Sequence, residues 1–209
     1  MSKVTADIAI SLDGYAAGPN QTLEHPFGDG VGEILHDRMA TWMFDEQESK
    51  AHAAEIAAIT AAKAYVMGRN MFSPGRGEWD LDWNGWWGPN PPYHGPVFVL
   101  THHPRESLTM EGGTTFHFVT EGIESALAQA KAAAGEGDVS IAGGAATLRQ
   151  YLKAGLVNEL RLHIVPIVTG QGENVFTDLH DVQLEPVAVS GTRAVTHVTY
   201  HPASHLTLT

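Results

Sequence analysis

Two adjacent glycines, Gly143 and Gly144, stand between a short apolar run at residues 139–142 and a segment with helical character. Because glycine has no Cβ, a ligand can approach the backbone closely at such a pair. The N-terminus of the following helix presents free N–H groups and a partial positive charge. The pattern therefore suits the diphosphate of a nucleotide, although a tight strand-to-helix turn without a ligand would have the same sequence.

Two charged residues follow the ends of other predicted strands, and each has a functional and a structural interpretation. Asp13 could donate or relay a proton during a reduction, or it could form an Asx-type turn before Gly14. Arg69 directly follows a strand end and Gly68. A guanidinium in that place suits phosphate oxygens, and a surface ion pair is the alternative.

Two adjacent histidines, His102 and His103, follow a third predicted strand and could contact a phosphate or a metal ion. Neighbouring side chains of an extended chain point in different directions, so a shared ion is disfavoured and no metal site is predicted. The other histidines show no helical i,i+4 pairing with a carboxylate, and we interpret them as scattered. They include His25, His36, His52, His94, His117, His163 and His197.

The composition excludes several classes of function. A net charge of -12 over 209 residues argues against nucleic acid or an anionic membrane as a partner. The absence of cysteine removes disulfides, thiolate zinc sites and cysteine nucleophiles. No Gly-x-Ser-x-Gly motif supports an α/β-type serine hydrolase. We see no signal peptide and no apolar run long enough to span a membrane, and we expect a cytoplasmic protein.

The periodicity predicts strands that alternate with helices. Strands are predicted at residues 4–10, 64–67, 97–100, 115–119, 139–142 and 157–168, and a closing hairpin at 184–190 and 193–200. Helices are predicted at residues 34–44, 48–62 and 121–134 (the last capped by Thr120), and after Gly144.

This order predicts a mixed, mostly parallel α/β sheet with an antiparallel hairpin at one edge. We find no linker and no internal repeat, so residues 1–209 are interpreted as one domain. Ligands of such sheets bind outside the carboxyl ends of the strands. The loops after Ile10, Met67, Leu100 and Ala142 should therefore meet at one site.

A long segment at residues 73–96 carries four of the five tryptophans and a cluster of prolines. A loop of this length is uncommon inside a compact domain unless it has a function. It could cover a cleft and stack on a planar heterocycle, contact a partner subunit, or pack on its own chain. The four tryptophans are Trp79, Trp83, Trp86 and Trp87.

Five short motifs occur in an order that resembles a known family. They lie at residues 11–14, 67–69, 100–102, 141–145 and 166–176. Together they resemble the C-terminal reductase domain of the bifunctional riboflavin biosynthesis protein, in the dihydrofolate reductase-like superfamily. The resemblance implies a three-layer fold with helices on both faces of the sheet, a homodimer, and NADPH as the cofactor of a reductase.

The resemblance also implies where NADPH would bind. The Gly-Gly turn would meet the pyrophosphate. Arg69 and the glycine before it would lie near the adenosine phosphates, and the end of the third strand would meet the 2′-phosphate. Asp13, the implied catalytic residue, would lie with Gly14 beside the nicotinamide. The implied cofactor-binding residues are Gly14, Gly68, Arg69, Thr101, His102, Gly143, Gly144, Ala145 and Thr147.

The chain departs from the family pattern in two places. Dihydrofolate reductases hold a carboxylate on the first helix, and here only Asp37 and Asp45 are candidates. The basic residue that often follows the glycine pair is replaced by Ala145 and Ala146, so NADH stays possible as a cofactor. The predicted activity is hydride transfer to a pyrimidine- or pterin-like heterocycle, as in the reduction of 5-amino-6-(5-phosphoribosylamino)uracil. The alternative is a non-catalytic protein that binds a nucleotide or heterocycle.

Overall fold

A nine-stranded mixed sheet forms the centre of the protein in a computed structural model, which describes residues 2–203. The strands are β1 Val4–Ser11, β2 Tyr15–Ala17, β3 Ala64–Gly68, β4 Pro96–Leu100, β5 Leu108–Thr109, β6 Thr115–Val119, β7 Val139–Ile141, β8 Glu159–Val165, β9 Glu173–Asn174, β10 Leu184–Gly191 and β11 Thr196–Pro202. The helices are α1 Val31–Phe44, α2 Glu46–Ala51, α3 Ala53–Ile59, α4 Arg69–Phe72, α5 Ile123–Ala134 and α6 Ala145–Lys153.

The large sheet has the strand order β10-β11-β8-β1-β7-β3-β4-β6-β5, and β2 and β9 form a separate small sheet. Strands β8, β1, β7, β3, β4 and β6 are mutually parallel. The hairpin of β10 and β11 joins the sheet antiparallel to β8, and β5 pairs antiparallel with β6 at the opposite edge. The predicted mostly parallel sheet with a closing antiparallel hairpin is therefore confirmed.

Helices cover both faces of the sheet because successive residues of each buried strand point to opposite sides. On β3, Val66 packs into the core formed with α5 and α6. Its neighbour Met67 packs on the other face, in a cluster with Phe72. On that second face α1 contributes Leu35 and Trp42 to a third cluster. The layers are helix, sheet and helix, as the resemblance implied.

The tryptophan-rich segment packs on its own chain. The indole N–H of Trp83 donates to the carbonyl of Phe72 at 2.6 Å, and that of Trp79 donates to the carbonyl of His103 at 2.7 Å. Buried indole N–H groups usually have such partners. Of the alternatives that the sequence left open, self-packing is thus supported for this segment. Trp87 differs because it is 46% exposed.

Three local predictions were wrong. The helix predicted over residues 48–62 breaks at His52, whose backbone leaves the helical region (φ -112°, ψ 19°) where its ring is drawn into the interior. The predicted strand over residues 157–168 ends earlier, at Val165, because Pro166 has no N–H for the ladder. Thr120 does not cap α5, because Gly122 occupies the N-cap position.

The sequence analysis interpreted the remaining histidines as scattered, and this interpretation is wrong for three of them. His52, His163 and His197 meet in the interior beside Trp42, and each of the three is at most 5% exposed. Glu48 also lies at i,i+4 spacing from His52, with a carboxylate oxygen 3.5 Å from the Nε2 of His52.

No helix within residues 2–203 has the length and apolar character needed to cross a membrane.

Candidate functional site

The predicted site residues lie along one edge of the sheet, at the carboxyl ends of four neighbouring strands. The strands are β1, β7, β3 and β4 in spatial order. Strands lie about 4.8 Å apart, so the three intervals span about 14 Å. This order places the loop of Asp13 at one end, the Gly-Gly turn and Arg69 in the middle, and Thr101 at the other end.

The Gly-Gly turn contacts the end of β3 directly. The N–H of Gly68 donates to the carbonyl of Gly143 at 2.8 Å. Gly143 has φ +104°, a conformation that favours glycine, and the Gly143–Gly144 peptide is cis. Gly144 is the N-cap residue of α6 and provides no side-chain cap. The first N–H groups of α6 therefore keep their capacity to bind an anion.

Gly144 borders open space. A Cβ added to Gly144 would have Met71 Cγ as its nearest neighbour, at 3.9 Å, which is ordinary van der Waals contact. The protein itself therefore leaves room for a side chain at this position. The open space is what a ligand backbone or diphosphate would need at the start of α6.

Gly68 of β3 and Thr147 of α6 lie so close together that a side chain at Gly68 would not fit. A Cβ on Gly68 would lie 2.3 Å from Thr147 Oγ1, which is too close for two non-bonded atoms. The absence of a side chain at Gly68 lets the first turn of α6 approach the strand end. The two residues thus fix the position of the Gly-Gly turn above β3.

Arg69 lies across an aromatic ring in the next part of the site. Its guanidinium carbon is 3.9 Å from the centre of the Trp79 ring, and one terminal nitrogen donates to the carbonyl of Glu78 at 3.3 Å. Burial and the nearby Arg76 guanidinium lower the pKa of Arg69, while Glu78 opposes them. Its Nε is buried without a partner in the described structure, so the group retains a donor for a ligand.

The third strand end contributes a buried hydroxyl and two histidines with different surroundings. Thr101 is buried, and its Oγ1 donates to the carbonyl of His103 at 3.2 Å. His103 Nδ1 lies 3.2 Å from a carboxylate oxygen of Glu78. His102 is exposed at the strand end. The side chain of Thr101 thus supports the loop, and His102 is the group that faces solvent.

Asp13 connects two loops at the opposite end of the site. Its carboxylate accepts hydrogen bonds from the hydroxyl of Ser11 at 2.6 Å, the N–H of Gly170 at 2.7 Å and the N–H of Thr169 at 3.1 Å. Burial would raise the pKa of the Asp13 carboxyl, but these hydrogen bonds outweigh burial and hold its pKa below the usual value. The ionised carboxylate thus anchors the segment after β8 to the loop after β1.

Asn174 completes this connection, and the sequence analysis did not select it. Its side-chain amide donates to the carbonyl of Asp13 at 2.9 Å, and its oxygen accepts the N–H of Phe176 at 2.7 Å. Arg149 of α6 donates to the carbonyl of Asn174. Residues 166–176 had been singled out as a motif, but their spacing gave no sign that these groups would clamp the loop after β1.

A cleft of about 480 Å³ opens beside Asp13 and Gly14. Its walls are mainly apolar side chains of the neighbouring strands and of the segment after β9. They are Ile10, Leu12, Leu162, Ile164, Phe176, Leu184 and Tyr200. An apolar cleft with a few polar groups at one end is typical of a small-molecule site.

The two carboxylates considered for the first helix do not line this cleft. Asp45 is the N-cap of α2, where it accepts the N–H groups of Gln47 and Glu48 at 2.9 Å and 3.0 Å. Asp37 is exposed on α1. Asp13 is the only carboxylate among the residues described as lining the cleft.

Comparisons with known proteins agree with this architecture. A family model described as the RibD C-terminal domain matches residues 2–198. A solved structure from Shewanella sp. PV-4, named as a candidate riboflavin biosynthesis protein, has a TM-score of 0.67 at 23% identity and covers 97% of this chain and 99% of that chain. No curated protein matches the sequence.

Two further solved structures are similar in fold. A pyrimidine reductase-like protein from Corynebacterium diphtheriae has a TM-score of 0.52 at 15% identity, with 97% of this chain and 92% of that chain covered. The diaminohydroxyphosphoribosylaminopyrimidine deaminase/5-amino-6-(5-phosphoribosylamino)uracil reductase from Thermotoga maritima has a TM-score of 0.57 at 15% identity. The match covers 97% of this chain and 57% of that chain. The resemblance read from the five motifs is confirmed, and the chain belongs to the RibD C-terminal domain family.

Proposed function

We propose that the protein is an NADPH-dependent reductase that transfers hydride to a pyrimidine- or pterin-like heterocycle. Membership of the RibD C-terminal domain family supports a reductase of the riboflavin pathway type. The observation that carries the proposal is the alignment of four loops along one sheet edge, with the apolar cleft at the end near Asp13. An extended dinucleotide needs such a row of contacts, because its phosphates and two rings are spread along one line.

The residues present fit this cofactor. Gly143, Gly144 and Ala145 would hold the pyrophosphate at the start of α6, where a Cβ at Gly144 would occupy the space that the ligand needs. Gly68 of β3 and Thr147 of α6 would hold this turn in place. When bound, the dihydronicotinamide ring would supply the hydride, and the protein would supply orientation and an apolar cleft.

The preference for NADPH would come from Arg69 in the middle of the row and from the end of β4. Arg69 has a donor free of partners in the described structure and lies over Trp79, and His102 is exposed near by. A guanidinium is suited to a 2′-phosphate, which NADH lacks. The residues that follow the glycine pair, Ala145 and Ala146, provide no charge for this purpose.

The substrate would lie in the cleft between Asp13 and the apolar walls. A planar heterocycle fits there beside Phe176 and Tyr200. The names of the similar structures from Corynebacterium diphtheriae and Thermotoga maritima refer to a pyrimidine reductase and to 5-amino-6-(5-phosphoribosylamino)uracil. We propose a substrate of this class, and we expect a homodimer that acts in the cytoplasm.

A second candidate function is binding of a nucleotide or heterocycle without catalysis. The observation that favours it is the state of Asp13, whose carboxylate oxygens are occupied by hydrogen bonds and whose lowered pKa keeps it ionised at neutral pH. Such a group does not readily donate a proton. In a reductase with this geometry, Asp13 would position the loops and the proton would come from water or from the substrate.

Two measurements test these functions. Calorimetric titration with NADPH and with NADH should show binding of NADPH, and the absence of binding for both would contradict both candidate functions. NADPH oxidation should then be followed with dihydrofolate, ribosylaminopyrimidine phosphates and simple quinones. Turnover with a pyrimidine phosphate supports the reductase, whereas tight NADPH binding without turnover of any of these compounds supports the binding protein. Light scattering of the purified protein tests the dimer.

A further inference from the structure

A cluster of three buried histidines lies on the face of β8 that points away from the cleft. His163 belongs to β8, His197 to β11, and His52 to the break between α2 and α3. Their exposures are 3%, 5% and 2%, and the rings surround the fully buried Trp42. Nothing in the proposed reductase requires this cluster.

The three imidazoles form a chain of close nitrogen contacts. His163 Nδ1 lies 2.7 Å from His197 Nδ1, and His197 Nε2 lies 2.9 Å from His52 Nδ1. The two outer nitrogens also have polar neighbours. His52 Nε2 is 3.2 Å from the hydroxyl oxygen of Thr192 and 3.5 Å from a carboxylate oxygen of Glu48, and His163 Nε2 is 3.7 Å from a carboxylate oxygen of Asp7. The middle ring, His197, therefore has both of its nitrogens in contact with another imidazole.

Three neutral rings can satisfy both inner contacts of this chain. The hydroxyl of Thr192 donates to Glu48 at 3.0 Å, which leaves the hydroxyl oxygen to accept from His52 Nε2. His197 then donates to His52, and His163 donates to His197. In this arrangement His163 Nε2 is a buried lone pair near Asp7 without a hydrogen-bond partner in the described structure, which is unfavourable.

A metal ion between His52 and His197 would remove this unpaired lone pair. His52 Nδ1 and His197 Nε2 would each direct a lone pair at the ion. His197 would then carry its hydrogen on Nδ1 and donate it to His163, and His163 would donate to Asp7. All three rings stay neutral, and each ligand ring donates its second N–H to a neighbouring acceptor, as metal-bound histidines usually do.

We propose that His52, His197 and Glu55 form a binding site for a divalent transition metal ion, with zinc as the ion that suits two imidazoles and a carboxylate. One ligand atom from each of the three residues lies within 4.8 Å of the other two. His52 and Glu55 are three residues apart, at the start of α3, and His197 comes from β11. The ion would therefore fasten α3 to the antiparallel edge of the sheet.

The geometry needs only a small adjustment. Two nitrogens on a tetrahedral zinc ion are about 3.3 Å apart, given Zn–N bonds of 2.0–2.1 Å. The observed 2.9 Å between His52 Nδ1 and His197 Nε2 must therefore increase by about 0.4 Å. Glu55 is held in place by the hydroxyl of Ser190, which donates to its carboxylate at 2.6 Å.

The surroundings favour a cation and leave it accessible. The carboxylates of Asp7, Glu48 and Glu55 surround the rings. The nearby cation, Arg161, is already bound to Asp7 at 3.2 Å and to Glu159 at 2.8 Å. An opening of about 240 Å³, lined by Glu55, His163 and His197 among others, reaches the cluster from the surface. A water or small anion could take the fourth position through this opening.

Zinc binding to the untagged full-length protein tests the proposal. After removal of metals with a chelator, calorimetric titration with Zn²⁺ should show one site per chain, and Zn²⁺ should raise the melting temperature. Co²⁺ should give the intense visible absorption of a tetrahedral ion. Absence of stoichiometric Zn²⁺ binding would overturn the proposal, whatever the protein does with NADPH.

Three variants assign the site. Glu55→Gln keeps the shape of a partly exposed side chain and should weaken Zn²⁺ binding at least about tenfold. His52→Gln should abolish it. The control His117→Gln removes a histidine on β6 whose Nδ1 lies 2.9 Å from the hydroxyl of Ser107, and Zn²⁺ affinity should not change. If Glu55→Gln folds and binds Zn²⁺ as the parent does, or if the control loses as much affinity, the assignment is wrong.

Discussion

Gly68 lies so close to Thr147 that a Cβ on the glycine would be 2.3 Å from the threonine hydroxyl oxygen. The contact joins the end of β3 to the first turn of α6 and holds the Gly-Gly turn in place. It also separates two roles that a glycine in a binding loop can have. Gly68 is required by the protein itself, whereas Gly144 has no such internal neighbour.

Gly68→Ala should therefore destabilise the fold. The added methyl forces Thr147 or α6 to move, and overpacking of this kind costs about 1–3 kcal/mol. Thr147→Ala should relieve the clash, because the next nearest atom of residue 147, its Cβ, is 3.5 Å away. Urea denaturation of the two single variants and of the double variant measures these changes in the free energy of unfolding. If the destabilisation of the double variant equals the sum of the destabilisations of the two single variants, the contact does not explain the requirement for glycine.

Gly144→Ala should leave the stability of the protein nearly unchanged and weaken NADPH binding. The protein offers space for the methyl group, but the proposed pyrophosphate would occupy the same space. We expect a loss of affinity of at least about tenfold, the equivalent of one charge-assisted hydrogen bond. Calorimetry for NADPH and thermal melting of the ligand-free variant give the two readouts. Unchanged NADPH affinity would place the diphosphate elsewhere.

The sequence predicted the regular parts of the fold because their physical causes are local. The alternation at Val4, Ala6, Ile8 and Ile10 identifies β1 although both of its faces are buried, and the continuous apolar run of β4 follows from burial on both faces of a sheet. The predicted site loops also lie together, since the carboxyl ends of parallel strands meet at one edge. Gly143 and Gly144 could be recognised because they stand directly between an apolar run and a segment with helical character.

The parts that the sequence did not reveal depend on contacts between distant residues. His52 and His197 are separated by 145 positions, and no local pattern indicates that their rings meet. The break of the predicted helix at His52 has the same cause, because the burial of its ring depends on β11. The clamp of Asn174 on Asp13 likewise joins two loops that are 161 residues apart.

Arg69→Ala should weaken NADPH binding more than NADH binding. The guanidinium has a donor without a partner in the described structure, and only NADPH carries the 2′-phosphate. A hydrogen bond between charged groups contributes about 1.5–3 kcal/mol, so the NADPH affinity should fall by about ten- to a hundredfold. Arg38→Ala, on the exposed side of α1, is the control. Equal losses for NADPH and NADH would contradict the assignment of the 2′-phosphate to Arg69.

Asp13→Asn should reveal whether this residue positions loops or transfers a proton. The hydrogen bonds that lower the pKa of the Asp13 carboxyl stabilise the folded state while the group is ionised. This stabilisation is present above the ordinary pKa of 3.8 and is lost as the pH falls through the lower folded pKa. The variant should therefore be less stable than the parent at pH 7, by on the order of 1 kcal/mol, and the difference should vanish in strong acid.

The kinetics of the same variant distinguish the two roles. If Asp13 only positions the loops, Asp13→Asn should raise KM and lower kcat moderately, and the pH profile of kcat should keep its shape, because no titrating group of the reaction has been removed. If Asp13 donates the proton, kcat should collapse with little change in KM, and the pH profile should lose one limb. The lowered pKa and the hydrogen bonds from Ser11, Thr169 and Gly170 lead us to expect the first result.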